Sequence, residues 1–417
     1  MIGSEGILIT NMYTKCEEDM IGNDILFNGR SLRGSIDKLR LLLIGLLIFY
    51  IFCYQYIFSP IDGFLALLGA MVATLEVLRL PIKCYKSVGY VLAFIVVTAV
   101  MGLLFAYDIS SHIRLVTSMV QYCLPMLAIC GYVGNSKKRL AYILQIISIS
   151  TLILSISLVF NGVKFTDYGA ITVGNLNTNV LSCFLMIGLV SQLLLLCLCE
   201  KRIHKVILAL AIFIEFIAQM RASSRRGLLI FVLLLVIYFI LVYFIYYKRN
   251  SMKQFVLFIL VVIVLVVLVA NFYSLADRYV VLRRLFMGEY NYGDALRAKY
   301  QSSAWELFKA SPIFGQGFGC VAAKVGMYSH SMYYEVLAST GIIGGTLLLL
   351  PIASNMLKFL NIAKSNKDGQ LKMECYIGAS GFFAMLLSGI AVVSIFDAYC
   401  YILLGVLGAL SNVTNQN

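Results

Sequence analysis

The sequence predicts an all-α polytopic membrane protein with about 12 transmembrane helices, and three observations lead to this fold class. First, the 417 residues are 61% hydrophobic and only 13% charged, with a mean hydropathy of +0.91, whereas soluble domains carry about 25% charged residues. Second, the chain holds roughly a dozen apolar runs close to the ~20 residues that a spanning helix needs. Third, runs such as 255–270 are uninterrupted and lack the alternation of a transmembrane β-barrel.

The apolar runs divide the chain into a tail and one transmembrane domain. Residues 1–39 are polar and contain an acidic run, which predicts a cytoplasmic N-terminal tail and no cleaved signal peptide. Residues 40–413 are predicted to be a single transmembrane domain. Its predicted spans are 40–58, 61–79, 88–106, 115–133, 140–160, 177–199, 203–219, 227–247, 253–272, 333–357, 373–395 and 398–413.

The distribution of Lys and Arg predicts the orientation, because these residues collect on the cytoplasmic side. With the N-terminal tail inside, every predicted cytoplasmic segment carries at least three of them, so both termini are predicted to be cytoplasmic. Basic clusters remain on the outer side at Arg221-Ala-Ser-Ser-Arg225-Arg226 and in a long loop, 273–332. Basic residues on the outer side oppose the orientation signal, so clusters there need another explanation. We predict that they bind an anionic group at the outer face of the membrane. Arginines that reach toward lipid headgroups are the alternative for the first cluster.

The long outer loop, 273–332, is the only extended polar interval between strongly apolar segments. Its basic residues are Arg278, Arg283, Arg284, Arg297, Lys299, Lys309 and Lys324. The helical spacing of Leu296, Tyr300, Ala304, Leu307 and Phe308 predicts an amphipathic helix at the membrane surface, which would end at Ser311-Pro312. The glycines of Gly315-Gln-Gly317-Phe-Gly319 predict a flexible turn and not a nucleotide site.

The loop closes with His330, the best candidate in the sequence for a general base. A histidine with a near-neutral pKa can remove a proton from a sugar hydroxyl, and serines or tyrosines beside it can orient the ring. A purely structural role stays open for a histidine taken alone. His112, predicted in a short outer loop, is the next candidate, whereas His204 lies among cytoplasmic basic residues.

Two carboxylates in apolar runs, Glu335 and Glu215, are expected to have partners, because an unpaired charge in the membrane is costly. Glu335 follows His330 by five residues. Its partner is predicted to be either an outer arginine or His330. Glu215 stands about one and a half turns before Arg221 and poses the same question.

The sequence argues against several kinds of site. It contains no Asp-x-Asp motif, and its cytoplasmic loops are too short for a nucleotide-binding domain. Its cysteines fall mostly in apolar runs, which favours packing over metal binding. No metal, cofactor or nucleic-acid partner is therefore predicted, and any glycosyl donor must arrive in the membrane.

Several motifs together resemble a known family. They are Gly174-Asn175-Leu-Asn177-Thr-Asn179 before one helix, Arg221-Ala-Ser-Ser-Arg225-Arg226-Gly227 before another, Arg297 with an aromatic-rich helix, Ser311-Pro-Ile-Phe-Gly315-Gln-Gly317-Phe-Gly319, and His330-Ser-Met-Tyr333-Tyr-Glu335 followed by Gly341-Ile-Ile-Gly344. In this order they resemble the O-antigen ligase/polymerase family of bacterial envelope enzymes. Ser331 departs from the asparagine that often follows the histidine in that family.

The resemblance implies a GT-C-like membrane glycosyltransferase of the bacterial inner membrane, with an extracytoplasmic active site that uses neither metal nor cofactor. It implies transfer from an undecaprenyl-diphosphate-linked saccharide. The implied catalytic residues are His330, Arg297 and Glu335, and the implied diphosphate or saccharide ligands are Arg221, Arg225, Arg226, Tyr333 and Asn177. The implied partners are lipid-linked saccharides, membrane lipids, and chain-length regulator and flippase proteins.

Three functions stay open at the level of sequence. A polymerase of O-antigen or capsular repeat units is placed first. An O-antigen ligase, which transfers the finished glycan to lipid A–core or another acceptor, shares the same sequence features. A transporter or flippase is the third, but transporters usually place ionisable residues at the membrane midplane of two matching halves, whereas the basic clusters here lie at the predicted outer boundary.

Overall fold

The computed structural model of the chain describes residues 26–57, 68, 71–72, 86–164, 171–173, 176–222, 224–246, 281–282 and 292–414. Residues 1–43 and 44–417 form two units. Four predictions lie wholly or mostly outside the described residues. They are the N-terminal tail, the spans 61–79 and 253–272, and the arginines 278, 283 and 284 of the long loop.

Helices dominate the described residues. Helix α1, Leu26–Phe49, begins within the predicted tail and continues as a π-helical turn, Tyr50–Tyr54, and a short helical segment, Gln55–Ile57. The remaining helices are α2 (Lys86–Phe105), α3 (Ile109–Val133), α4 (Lys137–Asn161), α5 (Thr178–Leu198), α6 (Arg202–Arg221), α7 (Arg225–Tyr246), α8 (Tyr292–Ala310), α9 (Cys320–Val325), α10 (Met332–Ser365), α11 (Gly369–Gly389) and α12 (Ala398–Thr414). A 3-10 turn at Ser394–Phe396 precedes α12.

Seven of the described helices are long and apolar enough to cross a membrane. They are Val88–Phe105, Ile109–Val133, Lys137–Asn161, Thr178–Leu198, Arg202–Arg221, Arg225–Ile245 and Met332–Ser365. Each coincides with a predicted span, so a helical, multi-pass membrane protein is confirmed. The predicted number of 12 spans is not reached within the described residues, where α12 is a shorter apolar helix of 17 residues, and it stays a prediction.

The described residues also contain one small antiparallel ribbon between α4 and α5. Its strands are β1 (Val163–Lys164) and β2 (Ile171–Thr172), with Val163 opposite Thr172. Thr172 is buried and donates its hydroxyl hydrogen to the carbonyl of Leu176. This hydrogen bond connects the ribbon to the residues just before α5.

Helices α5 and α12 form the centre of the bundle. Almost every side chain of both is buried, and their contact includes Phe184 and Tyr399, whose rings meet edge to face at 5.8 Å. Aromatic pairs of this geometry stabilise a core beyond the area that they bury. Because α5 and α12 are held centrally, their N-terminal ends are positioned firmly at one end of the bundle.

Helix α10 is broken at Gly341, whose φ of 61° and ψ of −161° are not helical. In an unbroken helix the N–H groups of residues 342 and 343 would donate to the carbonyls of residues 338 and 339. Instead they donate to Pro312 and Ile313, and the freed carbonyls accept from Gln316 and Gly317. The loop 312–317 therefore replaces the lost helical hydrogen bonds. Backbone N–H and C=O groups inside a membrane must be hydrogen-bonded within the protein, and the loop meets this requirement for the broken helix.

Glycines allow this loop and the broken helix to come together. Gly315 has a φ of +71°, and a Cβ there would lie 2.3 Å from the backbone nitrogen of Thr340. A Cβ at Gly341 would lie 2.3 Å from the carbonyl oxygen of Ile313. Only a residue without a side chain fits at such distances. The sequence predicts a flexible turn at these glycines. The structure confirms the turn and shows it packed against α10.

His112 holds the same loop from the other side, and the prediction that it lies in an outer loop is wrong. It is in the first turn of α3 and is 1% exposed. Its Nδ1 accepts a hydrogen bond from the backbone of Phe318 at 3.0 Å, Nε2 lies 3.3 Å from the carbonyl of Ala99, and the ring stacks on Phe318. Both ring nitrogens are engaged, so His112 is a structural residue and not an alternative base.

Candidate active site

Five segments meet around a cavity of about 330 Å³ at one end of the helix bundle. They are the N-terminal parts of α3, α5 and α10 with the residues before them, the start of α9, and the segment that leads into α12. The size is within the range of small-molecule sites, about 300–1,000 Å³. The polar side chains that line it are Ser111, Arg114, Asn177, Asn179, Tyr328, His330, Glu335 and Asp397. We call it the His330 cavity.

Three helix N-termini lie at this cavity. Helix α3 is capped by Asp108, whose carboxylate accepts from the N–H groups of Ser110 and Ser111, and α5 is capped by Asn177, whose side chain accepts from the N–H of Asn179. Helix α10 begins after Ser331. A helix N-terminus carries a partial positive charge and favours an anion. The carboxylate of Asp108 already offsets this charge at α3, so the N-termini of α5 and α10, together with the guanidinium of Arg114, make the cavity suitable for a negatively charged group.

His330 lies in the turn before α10 and has an unusual backbone conformation. Its φ is +56°, which among the described residues is the only positive φ outside glycine. Left-handed conformations are uncommon for other residues, and the surrounding structure must enforce them. The ring of Tyr328 packs on the imidazole at 4.3 Å between ring centres, and Tyr300 of α8 approaches it at 6.1 Å. The two tyrosines therefore hold the imidazole at the cavity wall.

Glu335 fastens the turn that presents His330. It is 1% exposed, and its Oε2 accepts a hydrogen bond from the backbone N–H of Ser329 at 2.8 Å. The hydroxyl of Ser329 in turn donates to the carbonyl of Ser331. The sequence predicts an arginine or His330 as the partner of Glu335. The hydrogen-bond partner in the structure is instead the backbone beside His330, although both residues line the same cavity.

The pKa of His330 lies well below its ordinary value. Burial disfavours the charged imidazolium, and the positive charge of Arg297 acts in the same direction, so the pKa falls from 6.5 to about 4. His330 is therefore neutral at physiological pH and has a lone pair free for a proton. Arg297, in α8, does not line the cavity but lies close enough for its charge to act on both His330 and Tyr328.

Asp397 and Arg114 line the cavity, and sequence reasoning missed both. Burial raises the pKa of Asp397 from 3.8 to about 7. The pKa of Tyr328 is raised first by its own burial and then by the charge of Asp397. Asp397 is the only acidic residue between the apolar runs 373–395 and 398–413, a signal that could have found it. Arg114 had a weaker signal, because it is a single basic residue in a predicted outer segment.

The three arginines of the sequence cluster 221–226 have separate positions. Arg226 lines a small cavity of about 20 Å³ and lies 3.4 Å from the carbonyl of Ile390. This small cavity shares Asn179, Ala391 and Val392 with the His330 cavity. Arg225 is half-buried in the first turn of α7, and the guanidinium of Arg221 donates to the carbonyl of Val159 at the end of α4. The structure thus places Arg226 at a cavity that adjoins the His330 cavity, and none of the three arginines lines the His330 cavity itself.

Asn177 and Tyr333, the two other predicted ligands, differ in position. Asn177 is exposed and lines the His330 cavity. Tyr333 points elsewhere: its hydroxyl donates to the carbonyl of Leu386 at 2.7 Å, and its ring lines an apolar groove along α10. The position of Tyr333 therefore does not support a role in binding the saccharide.

The amphipathic helix predicted in the long loop is α8. It ends at Ala310, directly before Ser311-Pro312. Ala304 and Leu307 are buried on its inner face and pack with Cys320 and Val321 of α9, whereas Trp305 is 43% exposed. The helix thereby carries Arg297 and Tyr300 to the neighbourhood of His330.

The described residues show no group of three His, Cys, Asp or Glu side chains arranged to hold a metal ion. His330, Glu335 and Asp397 share the cavity without forming such a group. We therefore assign no metal ligand to this site.

Comparison with known proteins confirms the resemblance found in the sequence. Residues 206–349 match the family model described as O-antigen ligase, which is consistent with an O-antigen ligase/polymerase family. A solved structure concerning the coordination of polymerization and crosslinking by a peptidoglycan synthase complex contains a similar chain, with 15% identity, a TM-score of 0.43, and coverage of 81% of this chain and 99% of that chain. No curated protein matches.

Proposed function

We propose that this protein is a polymerase of lipid-linked oligosaccharide repeat units of O-antigen or capsular polysaccharide. The donor glycan is carried on undecaprenyl diphosphate, and the acceptor is a sugar hydroxyl at the outer face of the plasma membrane. The observation that carries the proposal is the His330 cavity, where a neutral imidazole, Arg114 and three helix N-termini surround a space of about 330 Å³. The match to the O-antigen ligase family model, residues 206–349, includes the segment that carries Tyr328, His330 and Glu335.

The reaction needs one proton acceptor and a site for a departing diphosphate. His330 accepts the proton of the acceptor hydroxyl, and the oxygen forms a bond to the anomeric carbon of the donor sugar. The bond between that carbon and the diphosphate oxygen breaks, and the diphosphate leaves with its electron pair. Positively charged and N–H groups that point at this developing charge lower the barrier.

The low pKa of His330 makes it a weak base in the empty cavity. An anionic diphosphate bound near Arg297 would offset the positive charge that depresses this pKa. Donor binding therefore raises the pKa of His330 toward the range in which a general base is most effective. In this mechanism Arg114 binds the leaving group, and Arg297 stabilises it through its positive charge from outside the cavity lining. Arg226 extends the basic surface at the adjoining small cavity.

An O-antigen ligase is the second candidate, because the matching family model carries that description. It would use the same donor and the same proton transfer, and it would differ in the acceptor. A ligase transfers the glycan to lipid A–core or another acceptor instead of a second repeat unit. The two functions are therefore distinguished by their products, because the same site residues would serve both.

The test is to incubate membranes that contain the protein with lipid-linked repeat units, with and without core lipid. We expect longer lipid-linked chains, and His330→Ala should reduce their formation by about 10²–10⁴-fold, the usual contribution of a general base. His204→Ala is the matched control, since His204 is exposed at the other end of the bundle. Products found on core lipid alone would support a ligase, and full activity of His330→Ala would refute the assigned base.

A further inference from the structure

A second polar cluster lies inside the bundle, away from the His330 cavity lining. Glu215 of α6 has 0% exposure. Its Oε1 accepts hydrogen bonds from Thr151 of α4 at 2.6 Å and from the amide nitrogen of Gln192 of α5 at 2.8 Å. Its Oε2 is buried and has no hydrogen-bond partner among the described residues. A proton or a cation on Oε2 would complete the bonding of this carboxyl group.

No described ion pair or hydrogen bond supplies a positive charge to Glu215. The basic residues of α4 are at its start, 137–139, and those of α7 are at 225–226. Arg221 on the same helix donates to Val159, and the titratable groups of α5 are two cysteines, 183 and 197. An ionised carboxylate without a counter-charge is very costly inside a membrane protein. These surroundings favour the neutral form of Glu215, with a proton on Oε2.

A proton on Oε2 also fits the next group along the helix. Gln219 lies one turn beyond Glu215, and residues four apart share one face of a helix. The side-chain oxygen of Gln219 is buried and has no hydrogen-bond donor among the described residues. Its amide nitrogen donates to the hydroxyl of Ser182 in α5 at 3.0 Å. Gln219 is therefore hydrogen-bonded to Ser182 and lies one helical turn from Glu215, and we call these three residues the file.

The file leads to the His330 cavity. Ser182 lines the small cavity of about 20 Å³, together with Ser224 and Asn179. A space of this size exceeds the ~10–15 Å³ that one water molecule requires. Asn179 accepts a hydrogen bond from Ser224 at 3.0 Å and lines both the small cavity and the His330 cavity. Polar groups thus extend from the buried carboxyl to the open site.

Two helix glycines make room for the file. A Cβ at Gly188 would lie 2.4 Å from the hydroxyl oxygen of Thr151 and 2.7 Å from Oε1 of Glu215. A Cβ at Gly227 would lie 2.4 Å from the amide nitrogen of Gln219 and 2.6 Å from the hydroxyl oxygen of Ser182. Glycine inside a helix is destabilising by about 0.5–1 kcal/mol relative to alanine. Both glycines are at polar side chains of the file, which explains why the helices carry them there.

We propose that Glu215 is an internal proton-binding site that exchanges its proton with the His330 cavity through Gln219, Ser182 and a water molecule in the small cavity. The ligand of the site is a proton. The proposal concerns the path and the bound proton, and it does not depend on which saccharide the cavity binds.

The test uses infrared spectroscopy of the purified full-length protein in lipid bilayers. The difference spectrum between the unmodified protein and Glu215→Gln should contain one carboxylic acid C=O band, which moves when the buffer is changed to D₂O. Ser182→Ala removes one link of the file and should slow this shift about tenfold, as loss of one relay hydrogen bond predicts. Ser155→Ala is the matched control, because Ser155 is a buried serine of α4 outside the file.

Each other outcome overturns the proposal. Absence of the band in the difference spectrum would show that Glu215 is ionised. A band that does not move in D₂O would show that Glu215 does not exchange its proton with the cavity. An equal rate of the band shift in Ser182→Ala and the unmodified protein would show that the proton takes a route other than Ser182. Thermal unfolding of each variant establishes that it is folded, and Gln219→Leu provides a second break in the same file.

Discussion

The His330 cavity and the Glu215 cluster both bury carboxyl groups, but they treat charge in opposite ways. The cavity lies at three helix N-termini and has Arg114 in its lining and Arg297 nearby. The cluster is surrounded by hydroxyl and amide groups in the middle of the helices. Helix N-termini carry a partial positive charge, whereas helix interiors do not. The end of the bundle can therefore hold an anion, and its interior can hold only a neutral acid.

The largest effect is expected from a substitution in the scaffold of the cavity. Gly315→Ala places a methyl group 2.3 Å from the backbone of α10, so we expect the loop 312–317 to lose its position and the protein to lose its folded state. Gly326→Ala is the control: its φ of +80° is similar but no atom lies within 4 Å. It should cost only about 1–2 kcal/mol of stability. Thermal unfolding in detergent measures both, and equal melting temperatures would contradict the packed turn.

The next effect is expected at Arg114. Arg114→Ala removes a positive charge from the cavity lining, and by analogy with loss of one preorganised donor it should reduce the rate about 10²-fold. Arg202→Ala, an exposed arginine at the other end of the bundle, should leave the rate unchanged. The measurement is the initial rate of product formation from lipid-linked donor. An unchanged rate in Arg114→Ala would mean that the cavity does not hold the anionic part of the donor.

Glu335 should show a smaller and more selective effect. Glu335→Gln keeps an oxygen that can accept from the N–H of Ser329, whereas Glu335→Ala removes it. We expect Glu335→Ala to lose about tenfold more activity than Glu335→Gln, because a buried N–H left unpaired costs about 1–3 kcal/mol. Equal losses of activity in the two variants would show that activity depends on the negative charge of Glu335 and not on its hydrogen bond to Ser329.

Asp397 makes stability and activity depend on pH. Its pKa is raised from 3.8 to about 7 in the folded protein, so its ionisation favours the unfolded state. The contribution of Asp397 to stability should be highest below pH ~4, decrease as the pH rises toward about 7, and be constant above that value. His330, whose pKa falls from 6.5 to about 4 in the folded protein, contributes the opposite slope between those two values, so the effect of Asp397 is the difference between the unmodified protein and Asp397→Asn. Asp397→Asn should remove this slope and, if His330 is the base, retain activity within about tenfold. Loss of all activity in the variant would make Asp397 the base instead. Melting temperatures and rates across this pH range test both statements.

The smallest effect is expected in the interior cluster. Glu215→Gln replaces a neutral acid by a neutral amide that can still donate and accept, so the melting temperature should change by only a few degrees, equivalent to about 1 kcal/mol or less. Glu215→Leu is the comparison, since it leaves the hydroxyl of Thr151 and the amide of Gln192 without their acceptor. A strong destabilisation by Gln alone would show that the carboxylate is charged, and the contrast between the two regions would fail.

Much of the fold follows from local patterns in the sequence. Apolar runs of spanning length predict seven helices that the structure shows, and the spacing of Leu296, Tyr300 and Ala304 predicts α8. The break in α10 could not be predicted in the same way, because Gly341 is one glycine among many in apolar runs. Its effect depends on hydrogen bonds to residues 312–317 from another part of the chain.

The candidate site is predicted only where its residues are close in sequence. His330 and Glu335 are five residues apart and both line the cavity. Arg114 and Asp397 come from distant segments, and only the packing of α3, α5 and α12 brings them to His330. The sequence predicts an exposed His112 because two serines precede it. In the structure His112 is buried, because Gly102 on α2 leaves space for its ring. This contact between distant residues could not be predicted from the sequence.

The most direct test of the account is photocrosslinking of a polyprenyl-diphosphate-linked saccharide with a photoreactive group on its first sugar, followed by identification of the labelled peptides. The account predicts labels in segments 111–115, 319–335 and 391–397, which line the His330 cavity, and a weaker label in Arg114→Ala. Labels confined to the apolar groove along α10, or to the opposite end of the bundle near residues 137–139, would contradict it.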